Sequence, residues 1–237
     1  MSSKQLQVDI LPQPNDVTCG PTCLHAVYDY YGDKIQLPQV VEEVTQLFSG
    51  GTLAVLLGHH ALQRGFDVTI YTYNLQMFDP TWFDDASADT LPQKLKAQAK
   101  AKPTRRFKFT TNAYLKFLEL GGQIKFEELT PALIKSFLVR EIPILTGLSA
   151  TYLYNSAREI GETNTYDDVV GTPAGHFVVV NGYNRKTRLV SVADPLNPNP
   201  ISNIKQHYKV GIHRLINAIL LGIVTYDANI LIIQPKS

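Results

Sequence analysis

The first quarter of the chain carries apolar residues in patterns that predict one short strand and then helices. A short apolar stretch at residues 8–11 predicts the strand, and a polar loop follows it. Pro38 favours a helix start, Thr52 is a suitable N-cap, and Gly65 is a suitable helix terminator. Three helices are therefore predicted, over residues 20–31, 38–48 and 52–64.

Strand patterns become frequent from residue 66 onward. Residues 66–73 alternate β-branched and aromatic residues with polar ones, which predicts a strand. The strongest hairpin signal is a pair of apolar runs, 176–182 and 188–193, joined by turn residues 184–187. Further helices are predicted over 111–120, from Thr130-Pro131 and near Leu215, and further strands over 124–126, 142–148 and 230–233. Because helices lead and an antiparallel β part follows, the predicted fold class is α+β, in a single domain over 1–237.

Residues 79–108 differ in composition from the rest of the chain. The acidic residues come first, at Asp79, Asp84, Asp85 and Asp89. A run of basic residues with no acid among them then extends to Lys108. Such a run is typical of a solvated helix and loop on the surface, and a nucleic-acid-binding patch is the alternative.

Composition excludes several classes of protein. With 44% hydrophobic and 18% charged residues, the 237-residue chain is not disordered, collagen-like or a coiled coil. A net charge of +1 creates no field that would recruit nucleic acid or an anionic membrane. The longest apolar stretch, 215–224, is about half of what a membrane span needs. Two cysteines are too few for a disulfide framework, and no signal-peptide pattern is present, so we expect a cytoplasmic enzyme.

Cys19 is placed for nucleophilic chemistry. It lies just before the helix predicted at 20–31, whose first-turn N–H groups and positive dipole end favour an anion. The thiolate is the reactive form of cysteine, and such a position favours it. Cys23 follows one helical turn later and is predicted to pack in the core. A metal or redox pair formed by Cys19 and Cys23 is the alternative, but no second cysteine pair or spaced histidine pair completes a ligand set.

A thiolate that transfers acyl groups needs a histidine partner, and the chain has six histidines. His176 is the best candidate because it opens the apolar strand at 176–182, which would hold its ring rigidly. We expect His59 and His60 to be half exposed on a helix surface. The remaining candidates, on the first helix or in a basic segment, are His25, His207 and His213.

The predicted hairpin brings a carboxylate back beside His176. Asp194 directly follows the second strand, 188–193, and the end of that strand lies next to the start of the first. A carboxylate there can accept the second imidazole N–H and fix the tautomer and orientation of the ring. Asn181 is an alternative partner, although we expect it to bond to backbone near the hairpin turn.

Two segments resemble the motifs of a known enzyme family. Gln13 lies six residues before Cys19 in Gln-Pro-Asn-Asp-Val-Thr-Cys-Gly-Pro-Thr-Cys, and the second segment runs from Gly-His-Phe-Val-Val-Val to Val-Ala-Asp-Pro. This pattern resembles the bacteriocin-processing peptidases, papain-like cysteine enzymes that cut double-glycine leader peptides. The resemblance implies a papain-like fold with the nucleophile at a helix start, packed on an antiparallel sheet. It also implies four roles: Cys19 as nucleophile, His176 as general base and acid, Asp194 as its orienting residue, and Gln13 as an oxyanion-hole donor.

The resemblance covers residues 11–32 and 174–195 and little between them. Because Cys19 and His176 are far apart in the sequence, segment 72–120 is predicted to be an insertion that reshapes substrate binding. The sequence contains no Gly-x-x-x-x-Gly-Lys-Ser/Thr run, so we expect a stand-alone form without transporter domains.

The sequence therefore predicts a cysteine peptidase that hydrolyses a peptide or amide bond in a peptide or protein substrate, without a cofactor or metal. Two alternatives remain open, acyl transfer to an amine on the same scaffold and a non-catalytic peptide-binding module. Gly121-Gly122 superficially resembles a double-glycine cleavage site, but a helix end that needs a positive φ explains it better. The oligomeric state cannot be derived from these patterns.

Overall fold

The structure is a computed structural model that describes residues 3–47, 50–84, 90–161, 163, 165–202, 206–225 and 227–236. Within these residues the strands form one eight-stranded mixed sheet and a separate two-stranded ribbon. Helices and an antiparallel β part are both present in one chain, which confirms the predicted α+β class.

The bounds of the elements are as follows. The helices are α1 Cys19–Tyr30, α2 Leu37–Glu43, α3 Ala54–Gln63, α4 Leu91–Ala101, α5 Arg105–Glu119, α6 Pro131–Val139, α7 Ala150–Tyr154 and α8 Ile212–Leu221. The strands are β1 Ser3–Gln5, β2 Phe66–Thr72, β3 Gln123–Lys125, β4 Ile144–Ser149, β5 Glu159–Ile160, β6 Thr165–Tyr166, β7 Gly175–Asn184, β8 Leu189–Ala193, β9 His207–Gly211 and β10 Asn229–Pro235. Two short 3₁₀ segments lie at Pro80–Phe83 and Gly222–Thr225.

The order of strands across the main sheet is β3-β2-β10-β4-β7-β8-β9. The pair β2–β3 is parallel, and the other neighbours are antiparallel. The long strand β7 pairs along one edge with β4 and, further on, with β1. Its other edge pairs with β8, which forms the predicted hairpin. The sheet therefore joins the N-terminal segment, the hairpin and the last strand.

Helices cover both faces of the central strands. Every residue of β4 is buried, as are residues 229–233 of β10, although neighbouring strand residues point to opposite faces. Helix α1 packs against β7, α3 against β2 and β10, and α8 against β4 and β9. The continuous apolar runs in these strands therefore reflect burial on both sides.

Helix α1 lies within one residue of its predicted bounds, but the two helices after it differ from prediction. Helix α2 ends at Glu43 instead of 48, because Val44 is already extended, with φ −72° and ψ 120°. Phe48, the predicted end, lies outside the described residues. Thr52 does not cap α3: the N-cap is Leu53, and the Thr52 hydroxyl donates to the Thr45 carbonyl at 3.0 Å. The side chain of Thr52 thus stabilises the preceding turn instead of the helix.

The strand predicted at residues 8–11 is wrong. The paired strand is β1, three residues long and nearer the N-terminus. After it, the Leu6 N–H still donates to the Asn181 carbonyl at 2.7 Å, and the chain then leaves the ladder. Val8 and Ile10 are buried at alternate positions, so the apolar pattern reports burial of an extended chain without strand pairing.

The segment predicted to be an insertion, 72–120, folds mainly as α4 and α5. Helix α5 begins at Arg105 instead of 111, so much of the basic run is helical. It packs against α3, where a Cβ atom at Gly58 would lie 2.8 Å from Phe117 Cε2. Tyr114 and Phe117 are buried, so this segment contributes to the core as well as to the surface. Asp85 and Asp89 lie outside the described residues, and the insertion itself stays a prediction.

Helix α8 accounts for the longest apolar stretch of the sequence. It has 10 residues and is followed by the 3₁₀ segment Gly222–Thr225. Among the described residues, no helix combines the length and the apolar character that a membrane crossing requires. The stretch serves to cover the sheet.

Candidate active site

A hydrogen-bonded loop fixes the start of α1. The Asn15 side chain accepts the Val17 N–H at 3.1 Å, and the Thr18 hydroxyl donates to the Asn15 carbonyl at 2.9 Å. Thr22 continues this network by donating its hydroxyl to the Thr18 carbonyl at 2.8 Å. Cys19, the first residue of the helix, is half-buried. Its sulfur therefore lies at the positive end of a helix whose entry loop is held rigidly.

Gly20 lets α1 approach β7 closely. A Cβ atom at this position would lie 2.6 Å from Thr52 Cγ2 and 3.3 Å from Phe177 Cδ2. Because Phe177 follows His176 in the chain, this packing brings the helix start beside the imidazole. Cys23 lies in the core, as predicted: it is fully buried, its thiol donates to the Phe177 carbonyl at 3.2 Å, and burial raises its pKa.

His176 lies between a thiol and a carboxylate. Its Nε2 is 2.8 Å from Oδ1 of Asp194, and the ring lines the same cleft as Cys19, whose charge acts on it. Burial opposes a charged imidazole, but the Asp194 carboxylate and the negative charge of a Cys19 thiolate outweigh it. Together they raise the pKa of His176 to about 10. The site therefore favours an imidazolium beside Cys19 at neutral pH.

Asp194 is fully buried, and each of its oxygens accepts two hydrogen bonds. Oδ1 accepts from His176 and from the Leu196 N–H at 3.0 Å. Oδ2 accepts from the Tyr154 hydroxyl at 2.8 Å and from the Tyr208 hydroxyl at 2.6 Å. Burial alone would raise the pKa of Asp194, but the charge of His176 and these donors lower it. The carboxylate therefore stays ionised inside the protein.

Gln13 reaches the site through its backbone. Its N–H donates to the Pro195 carbonyl at 2.8 Å, which joins the loop before Cys19 to the residue after Asp194. Its side-chain Nε2 donates to the Asn15 carbonyl at 3.0 Å. Within the described part of the chain, Gln13 is not among the residues that line the cleft at Cys19. The structure thus brings Cys19, His176 and Asp194 together and places the Gln13 amide within the entry loop.

A cleft of about 230 Å³ opens at Cys19 and His176. Gly50, Gly51 and Gly175 line part of it. Its charged lining residues are Asp16, Arg106 and Asp227 as well as His176. The cleft therefore gives a ligand access to Cys19 and His176.

Several residues of the site were missed by sequence reasoning. Tyr154 and Tyr208 come from α7 and β9, and neither element had a motif that marked it. The pKa of Glu159 is raised by burial and lowered in part by the charge of His176, so this carboxyl group lies in the electrostatic field of the site. Arg106 and Asp227 line the cleft from segments far from both motifs. Their positions depend on tertiary packing, which has no local sequence signal.

His60 is a correction to the expectation of a half-exposed surface role. It is buried, with Nδ1 2.8 Å from the Tyr28 hydroxyl and Nε2 2.9 Å from Glu43. It faces α1 and α2, so it holds three helices together.

The expected partner of Asn181 is also corrected. Its Nδ2 donates to the Leu6 carbonyl at 3.1 Å and not to the hairpin turn.

An α+β fold with a cysteine at a helix start and a histidine on the adjoining antiparallel sheet defines the class of papain-like cysteine peptidases. Within that class the family follows from the sequence match. The model of the Peptidase C39-like family matches residues 5–211, and the chain belongs to that family. It is a cysteine-type peptidase.

Several solved structures are similar to this chain, at low sequence identity. A C39-like peptidase from Bacillus anthracis is 15% identical, with a TM-score of 0.51 and 100% of both chains covered. A double-glycine-motif protease from an AMS/PCAT transporter, solved with its leader peptide, is 15% identical, with a TM-score of 0.47 over 98% of this chain and 95% of that one. The peptidase domain of Streptococcus ComA is 13% identical, with a TM-score of 0.46 over 97% of this chain and 100% of that one. No curated protein matches the chain.

Proposed function

We propose that this protein hydrolyses peptide bonds through a catalytic triad of Cys19, His176 and Asp194. The observation that carries the proposal is that Cys19 and His176 line one cleft, while His176 Nε2 lies 2.8 Å from Asp194 Oδ1. A charged imidazole beside the sulfur supports the thiolate, and a buried carboxylate holds the tautomer and orientation of the ring. The imidazolium persists until the pH rises through the pKa of His176, about 10.

The proposed reaction proceeds in two steps. The Cys19 thiolate attacks the scissile carbonyl, and the tetrahedral intermediate collapses to a thioester as the C–N bond breaks. His176 gives its proton to the departing amine. The neutral imidazole then takes a proton from water, whose oxygen attacks the thioester. Collapse of that intermediate releases the carboxylic acid and restores the thiolate and imidazolium.

The oxyanion of each intermediate requires donors near Cys19. The N–H of Cys19 at the start of α1 is one, because first-turn N–H groups have no partner inside the helix. Gln13 is the proposed second donor. Its Nε2 carries two hydrogens, and the bond to Asn15 uses one of them. The backbone bond from Gln13 to Pro195 supports this role by fixing the loop beside the triad.

The proposed substrate is a peptide or protein that enters the cleft in an extended form. The proposed location is the cytoplasm, a reducing compartment, because Cys19 and Cys23 are both free thiols. We further propose that the chain is a single domain in which segment 72–120 is an inserted part of the substrate-binding wall. Arg106, in the first turn of α5, supports this because it lines the cleft.

The test compares the two cysteines of the chain. Cys19→Ala should lower peptide cleavage by more than about 1000-fold with an unchanged fold, because it removes the nucleophile. Cys23→Ala is the matched control and should remain active. Gln13→Ala should lower kcat by about 100- to 1000-fold, as expected for loss of an oxyanion donor. Intact-mass measurement of iodoacetamide labelling should find one modified site in folded protein, at Cys19.

Two results would contradict the proposal: full cleavage by Cys19→Ala, or labelling of Cys23 in place of Cys19. Acyl transfer to an amine would use the same thioester, so reactions should also contain an added amine. Hydrolysis gives the free acid as the main product, whereas a transferase gives the new amide.

A further inference from the structure

Two tyrosine hydroxyls bind the same oxygen of Asp194. Tyr154, the last residue of α7, and Tyr208, the second residue of β9, donate to Oδ2 at 2.8 and 2.6 Å. His176 and the Leu196 N–H use the other oxygen. The carboxylate is therefore held from two sides by elements that are far apart in the chain.

Both phenols remain protonated over the pH range in which the site works. Burial, followed by the charge of Asp194, raises the pKa of Tyr154 and the pKa of Tyr208. Each hydroxyl is thus a permanent donor to the carboxylate. The Tyr154 ring also lies beside the imidazole, with 6.0 Å between the centres of the Tyr154 and His176 rings.

A buried carboxylate is ionised only when donors replace the water it has lost. Neutral phenols supply that replacement without adding a positive charge that would compete with His176. They also fix the plane of the carboxylate, because Oδ2 is held while Oδ1 faces the imidazole. The direction of the His176 ring, and with it the direction of Nδ1 toward Cys19, depends on that plane.

We propose that Tyr154 and Tyr208 are positioning residues that hold Asp194 charged and oriented and so keep His176 directed at Cys19. They act through Asp194 and do not touch the substrate. This inference rests on the proposed triad. It adds two residues that neither sequence motif contains.

The test removes each hydroxyl and keeps each ring, with Tyr154→Phe, Tyr208→Phe and the double variant of the full chain. Each single change should lower kcat about 10-fold with little change in KM, as expected for loss of a hydrogen bond to a charged group. The alkaline limb of the kcat profile should move to higher pH. A carboxylate with one hydrogen-bond donor fewer is a stronger base, so it holds the imidazolium more strongly. The two changes should be non-additive because they share one oxygen.

Tyr183→Phe is the matched control, since Tyr183 lies on β7 seven residues beyond His176. All assays are run well below the unfolding temperature of each variant, measured by circular dichroism. The single variants test the inference separately, because α7 and β9 are different elements. Wild-type kcat and an unmoved alkaline limb in the folded variants would overturn the inference. If Cys19→Ala is inactive in that case, the proposed function still stands.

Discussion

Two buried aspartates of this protein have opposite electrostatics. Asp194, behind the imidazole, is fully buried, and its pKa is lowered. Asp227, on the wall of the cleft, is 7% exposed, and burial raises its pKa to about 7. Burial pushes both values upward, so the difference must come from their partners.

The partners differ in number and in charge. Asp194 accepts four hydrogen bonds, one of them from an imidazolium. Asp227 accepts the Ala54 N–H at 3.0 Å and the Asn229 Nδ2–H at the longer distance of 3.5 Å, and the charge of Arg106 lowers its pKa in part. A carboxylate inside this protein is therefore kept ionised by several donors that converge on it. Asp227, with one backbone donor and one long side-chain donor, has a pKa of about 7.

The largest effect is expected from removing the charge of Asp194. Asp194→Asn should lower kcat by about 100-fold or more, because an amide can hold the wrong tautomer of His176 and does not stabilise the imidazolium. Steady-state kinetics on a cleavable peptide measure this, with circular dichroism to confirm the fold. A kcat within twofold of the wild type would remove Asp194 from the triad.

The second prediction concerns the stability of the fold: replacing Asp227 should be favourable, whereas replacing Asp194 should be harmful to catalysis. Between about pH 4 and pH 7 the folded state keeps Asp227 protonated while the unfolded state loses the proton, so stability falls as the pH rises. Asp227→Asn removes this penalty and should raise the free energy of unfolding at pH 8 by about 1–4 kcal/mol, with little change at pH 4. Urea unfolding at a series of pH values measures it.

Asp67→Asn, at an exposed position of β2, is the matched control for that series. An Asp227→Asn variant that keeps the wild-type slope between pH 4 and 7 would show that Asp227 is ionised throughout.

The smallest effect is expected from removing the positive charge of Arg106, on the wall of the cleft. The charge of Arg106 lowers the pKa of Asp227 in part, so Arg106→Ala should move the pH midpoint of the stability change upward by less than about one unit. The same variant should raise KM for a peptide substrate if α5 forms part of the wall. Lys108→Ala, an exposed cation on the same helix, is the control and should change neither quantity. An unchanged midpoint would show that the charge of Arg106 does not act on Asp227.

The parts of the site that the sequence predicted depend on local signals. Helix α1 has a clear start and end, and the 184–187 turn sets which residues of the hairpin are neighbours. His176 and Asp194 therefore follow from pattern and spacing. Tyr208 could not be predicted, because β9 was treated as part of a basic segment, and its contact with Asp194 depends on how β9 pairs with β8.

Other features of the fold could not be predicted either, because they also depend on contacts between distant segments of the chain. The last strand, predicted at 230–233, was found in the sequence, but its place between β2 and β4 depends on contacts across most of the chain. Thr52 has the right side chain for a helix cap, yet at the start of α3 it is the Asp227 side chain that accepts a helix N–H, from Ala54. Propensity indicates what a residue can do, and packing then selects among the possibilities.

The position of β10 has a consequence for synthesis of the protein. This strand, Asn229–Pro235, connects β2–β3 with the rest of the sheet, yet it is translated after every other strand described. The ribosome must release residues 229–235 before the sheet can close. Until then β2 and β4 lack the strand that pairs with both of them. Asp227, which lies on the cleft wall just before β10, takes its place with this strand, so the sheet and the cleft are completed in the same step.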